Sequence, residues 1–410
     1  MRFGVKQVFK MLSQHIIFPF FYTINRWRPI DEGLVVFADA HHENCPPHME
    51  QLRERLVQEH YHVEEYFHDL SRCGTWEGLQ HMVRFMKLYA QASYVFICDN
   101  YLPVASCRKK KETKVVQLWH GCGAFKRFGY DASDDIPSGY RGNVYRNYDL
   151  VTVSGNGCVE HFASAMGINK KNGTNDKNHK PTSVVQPLGV SHTDRLFDAD
   201  YIEACRDKFR YAHPDAVGKT VILWAPTFRG NAAQAKLVGE DYIDALSTSH
   251  ELHEKIYVVK SLHPHLHDGL AEASGTESDA VCMTTDELMV CADVLVTDYS
   301  SVFFEYLLLD RPIIFFAPDY RAYAKGRGFY QEYDSLPGYV IKGSGHDANR
   351  KEMNVFMQEE LRSAVNMVLK GDTEDMRRMR KRYKDLYMNA CDGMATERIM
   401  NSVFGQDEIG

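Results

Sequence analysis

The sequence predicts an α/β protein built on two parallel-sheet halves. Three observations lead there. Short apolar runs of strand length alternate with segments of helical periodicity, an order that implies parallel strands covered by helices. The stretch Cys291–Phe316, CADVLVTDYSSVFFEYLLLDRPIIFF, shows one such unit complete: an apolar strand Val294–Thr297, the tetrad Asp298-Tyr299-Ser300-Ser301, an apolar helix, Arg311-Pro312 and a second apolar strand. The length of 410 residues exceeds one ordinary core, so two or more domains are expected.

The expected organisation is a segment 1–32, a first α/β domain 33–200 and a second 201–410. Residues 1–28 carry Arg2, Lys6, Lys10, Arg26 and Arg28 and no acidic residue, and Val5, Val8, Phe9, Leu12 and Ile16 recur at helical spacing. The apolar run that follows is far shorter than the ~20 residues a membrane span needs, and Pro19 interrupts it. No small-residue cleavage site follows, so a signal peptide is not expected. A basic amphipathic segment with bulky aromatics reads as one lying in an anionic membrane interface; the alternative is a helix packed on the protein's own surface.

In the first domain, strands are expected at 33–38, 92–98, 115–119 and 148–154, with helices over 47–58 and from Val159. Residues 169–182 (NKKNGTNDKNHKPT) read as an exposed loop, and 184–198 as the link between halves. In the second domain, strands are expected at 220–225 and 255–260, then the unit described above, a loop over 319–330 rich in Gly, Tyr and Arg, and helices over 359–369 and 373–387. The last helix carries Arg377, Arg378, Arg380, Lys381, Arg382 and Lys384, by default a solvated face.

Composition excludes several classes. The net charge of -7 argues against a general nucleic-acid binder. Ten cysteines are scattered with no CxxC pair, which argues against a zinc or redox site and suits a reducing compartment.

Four polar clusters directly follow predicted strands: Trp119-His120-Gly121, Pro226-Thr227-Phe228-Arg229, His263-Pro264-His265, and Asp298-Tyr299-Ser300-Ser301. Strand ends on one side of a parallel sheet are where ligands bind, so the clusters imply a cleft. The histidines can move protons near neutral pH. Arg229, Lys126 and Arg127 can neutralise phosphate, and Gly121 and Gly123 let backbone approach a ligand. Ser300 and Ser301 can cap the following helix, whose N-terminus offers N–H donors to a phosphate. Glu305, an acid inside an apolar run, suggests a face turned toward ligand, with ribose hydroxyls as partner. No GxxxxGK[ST] loop is present, so the chemistry reads as phosphoryl or glycosyl transfer without a P-loop. Each residue also has a plain reading: His120 or His263 ending a strand, and a serine as a helix cap only.

At these residues the chain resembles the CDP-glycerol glycerophosphotransferase family of teichoic-acid synthesis. The matching segments are Gln117–Gly129 (QLWHGCGAFKRFG), Trp224–Arg229, Ser261–Pro264 and Ala292–Glu305, followed by Arg311–Phe316, Gly326–Tyr330, Pro337-Gly338 and Asp392–Arg398. The resemblance implies a GT-B-like fold, two Rossmann-type domains facing a central cleft, peripheral on the cytoplasmic face of the membrane. It implies transfer of glycerol phosphate from CDP-glycerol to a lipid-linked polyol-phosphate acceptor, with CMP released.

The family's two important histidines map onto His120 and His263. The resemblance implies that His120 acts as general base or orients the attacking hydroxyl, while His263 and Arg229 stabilise charge. Thr227, Arg229, Asp298, Ser300, Ser301 and Glu305 are the expected donor and nucleotide-phosphate contacts, and Gly121, Lys126 and Arg127 the expected acceptor side. After Trp-His-Gly the chain has Cys122-Gly123-Ala124-Phe125-Lys126 where some members have Thr-Pro-Leu-Lys. Members that handle ribitol show similar Gly-Ala segments, so CDP-ribitol is the alternative donor. No resident cofactor and no protein metal cage are expected, and a magnesium ion carried by the donor phosphates is compatible with the residues. Primase and polymerase fit equally. Two rivals stand beside this reading: a nucleoside-diphosphate-sugar glycosyltransferase of the same architecture, and a non-catalytic binding protein that keeps the fold.

Overall fold

The computed structural model describes residues 3–133, 135–136, 140, 142–168, 184–229, 236–261, 283–326, 328–343 and 350–405. Eleven strands are described, in two wholly parallel sheets. Strands β1 (Asp31–Asp39), β2 (His62–Phe67), β3 (Ala92–Ile97), β4 (Lys114–Gln117), β5 (Leu150–Thr152) and β6 (Val185–Gln186) form a sheet in the order β2-β1-β3-β4-β5-β6. Strands β7 (Thr220–Ala225), β8 (Ile256–Lys260), β9 (Val294–Thr297), β10 (Ile313–Ala317) and β11 (Tyr339–Lys342) form the other, in the order β11-β10-β9-β7-β8. The α/β class and the two parallel sheets agree with expectation. The inner strands are largely apolar because helices cover both faces: β3 and β10 are buried at every residue.

The chain divides into two compact units. One comprises Met1–Gly121, Phe128–Asp194 and Asn389–Gly410; the other comprises Cys122–Arg127 and Arg195–Met388. This differs from the expected boundaries in three ways. The N-terminal segment belongs to the first unit, six residues after Gly121 pack with the second, and the C-terminal helix Ala395–Val403 packs with the first. Ile399, Met400, Val403 and Phe404 join Val35, Phe37, Leu52, Phe96 and Val116 in the first core. The Phe404 ring lies 4.4 Å from Tyr94 and 4.8 Å from Tyr61. Asp194 caps this helix from a distance, accepting the N–H groups of Ala395 and Thr396 at 2.9 and 2.8 Å. Arg398, within the Asp392–Arg398 segment, donates to the Leu188 carbonyl and to Asp392. That motif therefore fastens the C-terminus. The second core is built by Ile222, Trp224, Val294, Val296, Ile314 and Phe316 from the sheet with Leu361 and Val365 from the helix Arg350–Lys370.

The N-terminal segment is helical over Phe3–Leu12 and Phe18–Asn25, joined by a π-turn over Ser13–Ile17. One face is anchored: Phe18 and Tyr22 are buried, and the Tyr22 hydroxyl accepts the Lys110 N–H at 2.9 Å. The other face presents Val8, Leu12, Ile16, Phe20 and Ile24, each 45–59% exposed, with Trp27 beyond them at 77%. The four-residue spacing makes a single apolar stripe. Among the described residues no helix is long and apolar enough to cross a membrane.

On the helix Glu374–Tyr387 the basic run is largely the solvated face expected, with Arg377, Arg378 and Lys381 paired to neighbouring acids. Arg380 departs from it. Its side chain is 1% exposed and ion-paired to Asp310 and Asp372.

Candidate active site

In the first unit the chemistry collects at the carboxyl ends of β1, β3 and β4. β4 ends in Gln117, and the chain then turns through Trp119, a non-glycine residue at φ +61°. The completely buried Gln117 amide holds that turn. Its Oε1 accepts the Trp119 N–H at 2.8 Å, and its Nε2 donates to the Asp99 carbonyl at 3.0 Å. The Trp119 ring stacks on His120 at 4.6 Å and packs against Phe128 and Phe162. His120 is thereby held with Nδ1 3.2 Å from the Cys98 carbonyl oxygen. A carbonyl only accepts, so Nδ1 carries the proton and Nε2 is the basic nitrogen. The side chain is 46% exposed, open to a substrate.

Residues that sequence reasoning passed over surround it. Asp39 ends β1 and accepts from His42 Nδ1 and the His41 N–H, both at 2.7 Å. Burial works against the Asp39 charge, but the His42 side chain and the His41 N–H outweigh it and hold the carboxyl below its usual range. The same hydrogen bond raises His42. Asp99, just after β3, lies 3.5 Å from His41. The rule that found the four clusters, polar residues directly after an apolar strand, also fits Asp39 and Asp99 when applied to every strand.

In the second unit the ends of β7, β9 and β10 converge on Arg229. Its guanidinium makes four hydrogen bonds: Nε and Nη2 to Asp319 at 2.8 and 3.0 Å, Nη2 to Asp298 at 2.8 Å, and Nη1 to the Thr227 carbonyl. It lies 4.9 Å from the Tyr299 ring centroid and 4.8 Å from that of Tyr323, and those rings stack on each other. Burial opposes the charge, but the Asp319 and Asp298 carboxylates raise Arg229 above its ordinary value. Burial and Asp319 push the Tyr299 phenol up as well.

Two of the expected donor contacts, Arg229 and Asp298, are bonded to each other and to further protein groups. Arg229 is committed to two carboxylates, and Asp298 is committed to Arg229 and to the Thr227 and Tyr299 N–H groups. Each therefore has protein partners of its own in this structure. The helix after the tetrad differs from expectation. It runs only over Val302–Tyr306, continued by a 3-10 turn to Leu309, so little dipole accumulates at its start. Ser301 stands at its N-cap without a side-chain cap bond, and the Ser300 Oγ meets the Val302 N–H at 3.4 Å. The serine hydroxyls are therefore not absorbed by strong capping. Thr227 Oγ1 is buried and has no hydrogen-bond partner among the described residues. Glu305 is buried on the short helix. His263 and His265 lie outside the described residues.

Gly121 closes the first unit, whereas Lys126 and Arg127, expected on the same side, pack in the second. The reason is backbone pairing: Lys126 bridges Phe329 antiparallel, the Arg127 N–H donates to Gly328, and the Tyr330 N–H donates to Phe125 at 2.8 Å. The Phe125 ring stacks on Phe329 at 4.8 Å. Gly123 has φ +69°, and a Cβ there would stand 2.2 Å from the Phe304 ring, so only glycine fits.

Comparison with known proteins decides the family. Residues 20–405 match the model of CDP-glycerol:poly(glycerophosphate) glycerophosphotransferases. The chain belongs to this family. It is 33% identical to the teichoic acid ribitol-phosphate primase of Bacillus spizizenii W23, over 80% of this chain and 87% of that one. It is 30% identical to the teichoic acid glycerol-phosphate primase of Bacillus subtilis 168, spanning 60% of this chain and 61% of that relative. The solved structure of the wall teichoic acid polymerase TagF aligns over 100% of both chains with a TM-score of 0.69 at 20% identity, which supports the fold. As a member of the glycerophosphotransferase family the chain is a transferase of teichoic-acid synthesis.

Proposed function

We propose that the chain transfers a polyol phosphate from a CDP-activated donor to a lipid-linked acceptor, releasing CMP, at the cytoplasmic membrane surface. One observation carries the reading: the Cys98 carbonyl leaves His120 Nε2 basic, in an exposed ring, at the strand ends of the first unit. Nε2 takes the proton of the acceptor hydroxyl as its oxygen bonds to the phosphorus next to the polyol. The bond from that phosphorus to the CMP oxygen breaks, and CMP departs with the bonding pair. The hydroxyls of Thr227, Ser300 and Ser301, together with His263, hold the donor phosphates, and Glu305 holds the ribose. Arg229 and Asp298 shape the wall that presents these groups. The Thr227 hydroxyl, buried without a partner among the described residues, supports this, because a buried hydroxyl gains from a ligand bond. Gly121, Lys126 and Arg127 serve the acceptor. A magnesium ion would arrive on the donor diphosphate, where it neutralises charge.

The longer match to the ribitol-phosphate primase favours CDP-ribitol over CDP-glycerol as donor. The apolar stripe on the N-terminal helix, with exposed Lys10 and Arg26 beside it, lies in an anionic membrane interface and brings the site to its acceptor. The test is incubation with CDP-glycerol or CDP-ribitol and a lipid-linked acceptor, reading CMP and product length together. CMP with one donor establishes the reaction and the polyol. Turnover of nucleoside-diphosphate sugars, with a nucleoside diphosphate released, would assign a glycosyltransferase instead, and no CMP from either donor would remove the proposal.

A further inference from the structure

We infer that Asp99 is the positioning residue of His120, an inference that rests on the reading of His120 as the base. Asp99 follows β3 and is fixed at two points. Its carbonyl accepts from Gln117 Nε2 at 3.0 Å, and its Oδ1 accepts the Asn100 N–H at 2.6 Å. That leaves Oδ2 aimed between two imidazoles, 3.8 Å from His120 Nδ1 and 3.5 Å from His41 Nε2. Asp39, the other carboxylate at these strand ends, is already bonded to His42.

The Gln117 amide links the two halves of this arrangement. The one side chain holds both the Asp99 backbone and the Trp119 N–H, and Trp119 sits in the left-handed conformation that turns His120 outward. Placement of the carboxylate and placement of the imidazole are thus set by the same buried group. When Nε2 accepts a proton the ring becomes a cation with both nitrogens protonated, and Nδ1–H keeps its bond to the Cys98 carbonyl. Asp99 is the carboxylate that faces the new charge, its Oδ2 3.8 Å from Nδ1. The carbonyl sets which nitrogen is basic; the carboxylate lies beside the ring on which positive charge develops as the acceptor hydroxyl loses its proton.

The test compares Asp99→Asn, Asp99→Glu, His120→Ala and the Asp99→Asn/His120→Ala double variant in the full chain, with CMP release as readout. Asp99→Asn should lower kcat by about 10- to 100-fold, the scale of a misplaced catalytic group, with the KM for the CDP-polyol changed less than about twofold. Asp99→Glu, which restores the charge, should recover several-fold of that loss. In the His120→Ala background Asp99→Asn should cost little more, because the two residues act as a unit. An Asp99→Asn variant with wild-type kcat overturns the inference, and so does a loss that multiplies undiminished onto His120→Ala. Wild-type turnover in His120→Ala would instead overturn the reading of His120 as base. No CMP release by the unmodified protein would remove both.

Discussion

The Nδ1 of His120 stands 3.2 Å from the carbonyl oxygen of Cys98, and this contact decides which nitrogen of the ring is basic. His120→Ala should cost turnover about 10²–10⁴-fold, the usual contribution of a general base. CDP affinity measured by calorimetry should be unchanged, since the donor contacts are assigned to the second unit. Near wild-type CMP release from both donors would show that His120 is not the base.

Arg229 gives a prediction that separates frame from ligand contact. Arg229→Ala strands the Asp298 and Asp319 side chains, 3% and 23% exposed, so stability should fall by about 3–5 kcal/mol. Ser300→Ala and Ser301→Ala should leave the unfolding temperature within a degree or two, by about the small effect of a weak cap, and raise the donor KM. If Arg229→Ala melted like the wild type while losing CDP affinity, Arg229 would be a phosphate ligand after all.

Gly123→Ala should destabilise the protein by at least ~1–2 kcal/mol from the left-handed backbone alone, with the Phe304 ring 2.2 Å from the new Cβ adding to it. Gly74→Ala is the comparison: Gly74 has φ -68° and a Cβ there meets nothing within 4 Å, so only the weaker N-cap preference of alanine at the start of the helix Thr75–Tyr89, about 0.5–1 kcal/mol, is expected. Urea unfolding measures both. Equal midpoints for the two variants would contradict the packing of Cys122–Arg127 against Phe304.

His81 predicts an acid limb in stability. Burial lowers its pKa from 6.5 to about 4, with its ring stacked on Tyr66 at 4.2 Å. Between those values the unfolded chain binds a proton that the folded chain refuses. This destabilisation is absent above pH 6.5, grows as pH falls, and is complete below about 4. His81→Phe keeps the stacking and removes the titration. Thermal unfolding between pH 4 and 7 should fall less steeply in the variant, and parallel curves would show that His81 does not contribute.

The apolar stripe predicts membrane binding through side chains that are largely exposed in the folded protein. Ile16→Glu and Phe20→Glu should reduce co-sedimentation with anionic vesicles several-fold, since each buries apolar area in the interface. Both residues are 59% exposed, so unfolding temperatures should hold. Unchanged vesicle binding would show that the stripe is not a membrane contact.

Much of the architecture is readable before any folding. Strands β3, β7, β9 and β10 read as continuous apolar runs because both sheet faces are covered. β2, with sequence HVEEYF, escapes that rule: it lies at the sheet edge and no residue of it is fully buried. β6 is two residues long and leaves no pattern at all. Residues of the right chemistry stand out directly after strands, which is why His120, Thr227 and the tetrad are visible in sequence.

The sequence by itself determined the two parallel sheets, the strand-end clusters and the amphipathic character of the N-terminal segment. Periodicity carries those, because it records which side of an element meets apolar surroundings. Only the tertiary structure decided which partner each group takes. The helix Ala395–Val403 is amphipathic wherever it docks, yet its apolar face completes the core of the first sheet. Arg229 is a cation in any reading, yet carboxylates 69 and 90 residues away claim it. Hydrogen bonding and charge neutralisation fall off within a few ångströms, so they depend on spatial neighbours that sequence spacing does not encode.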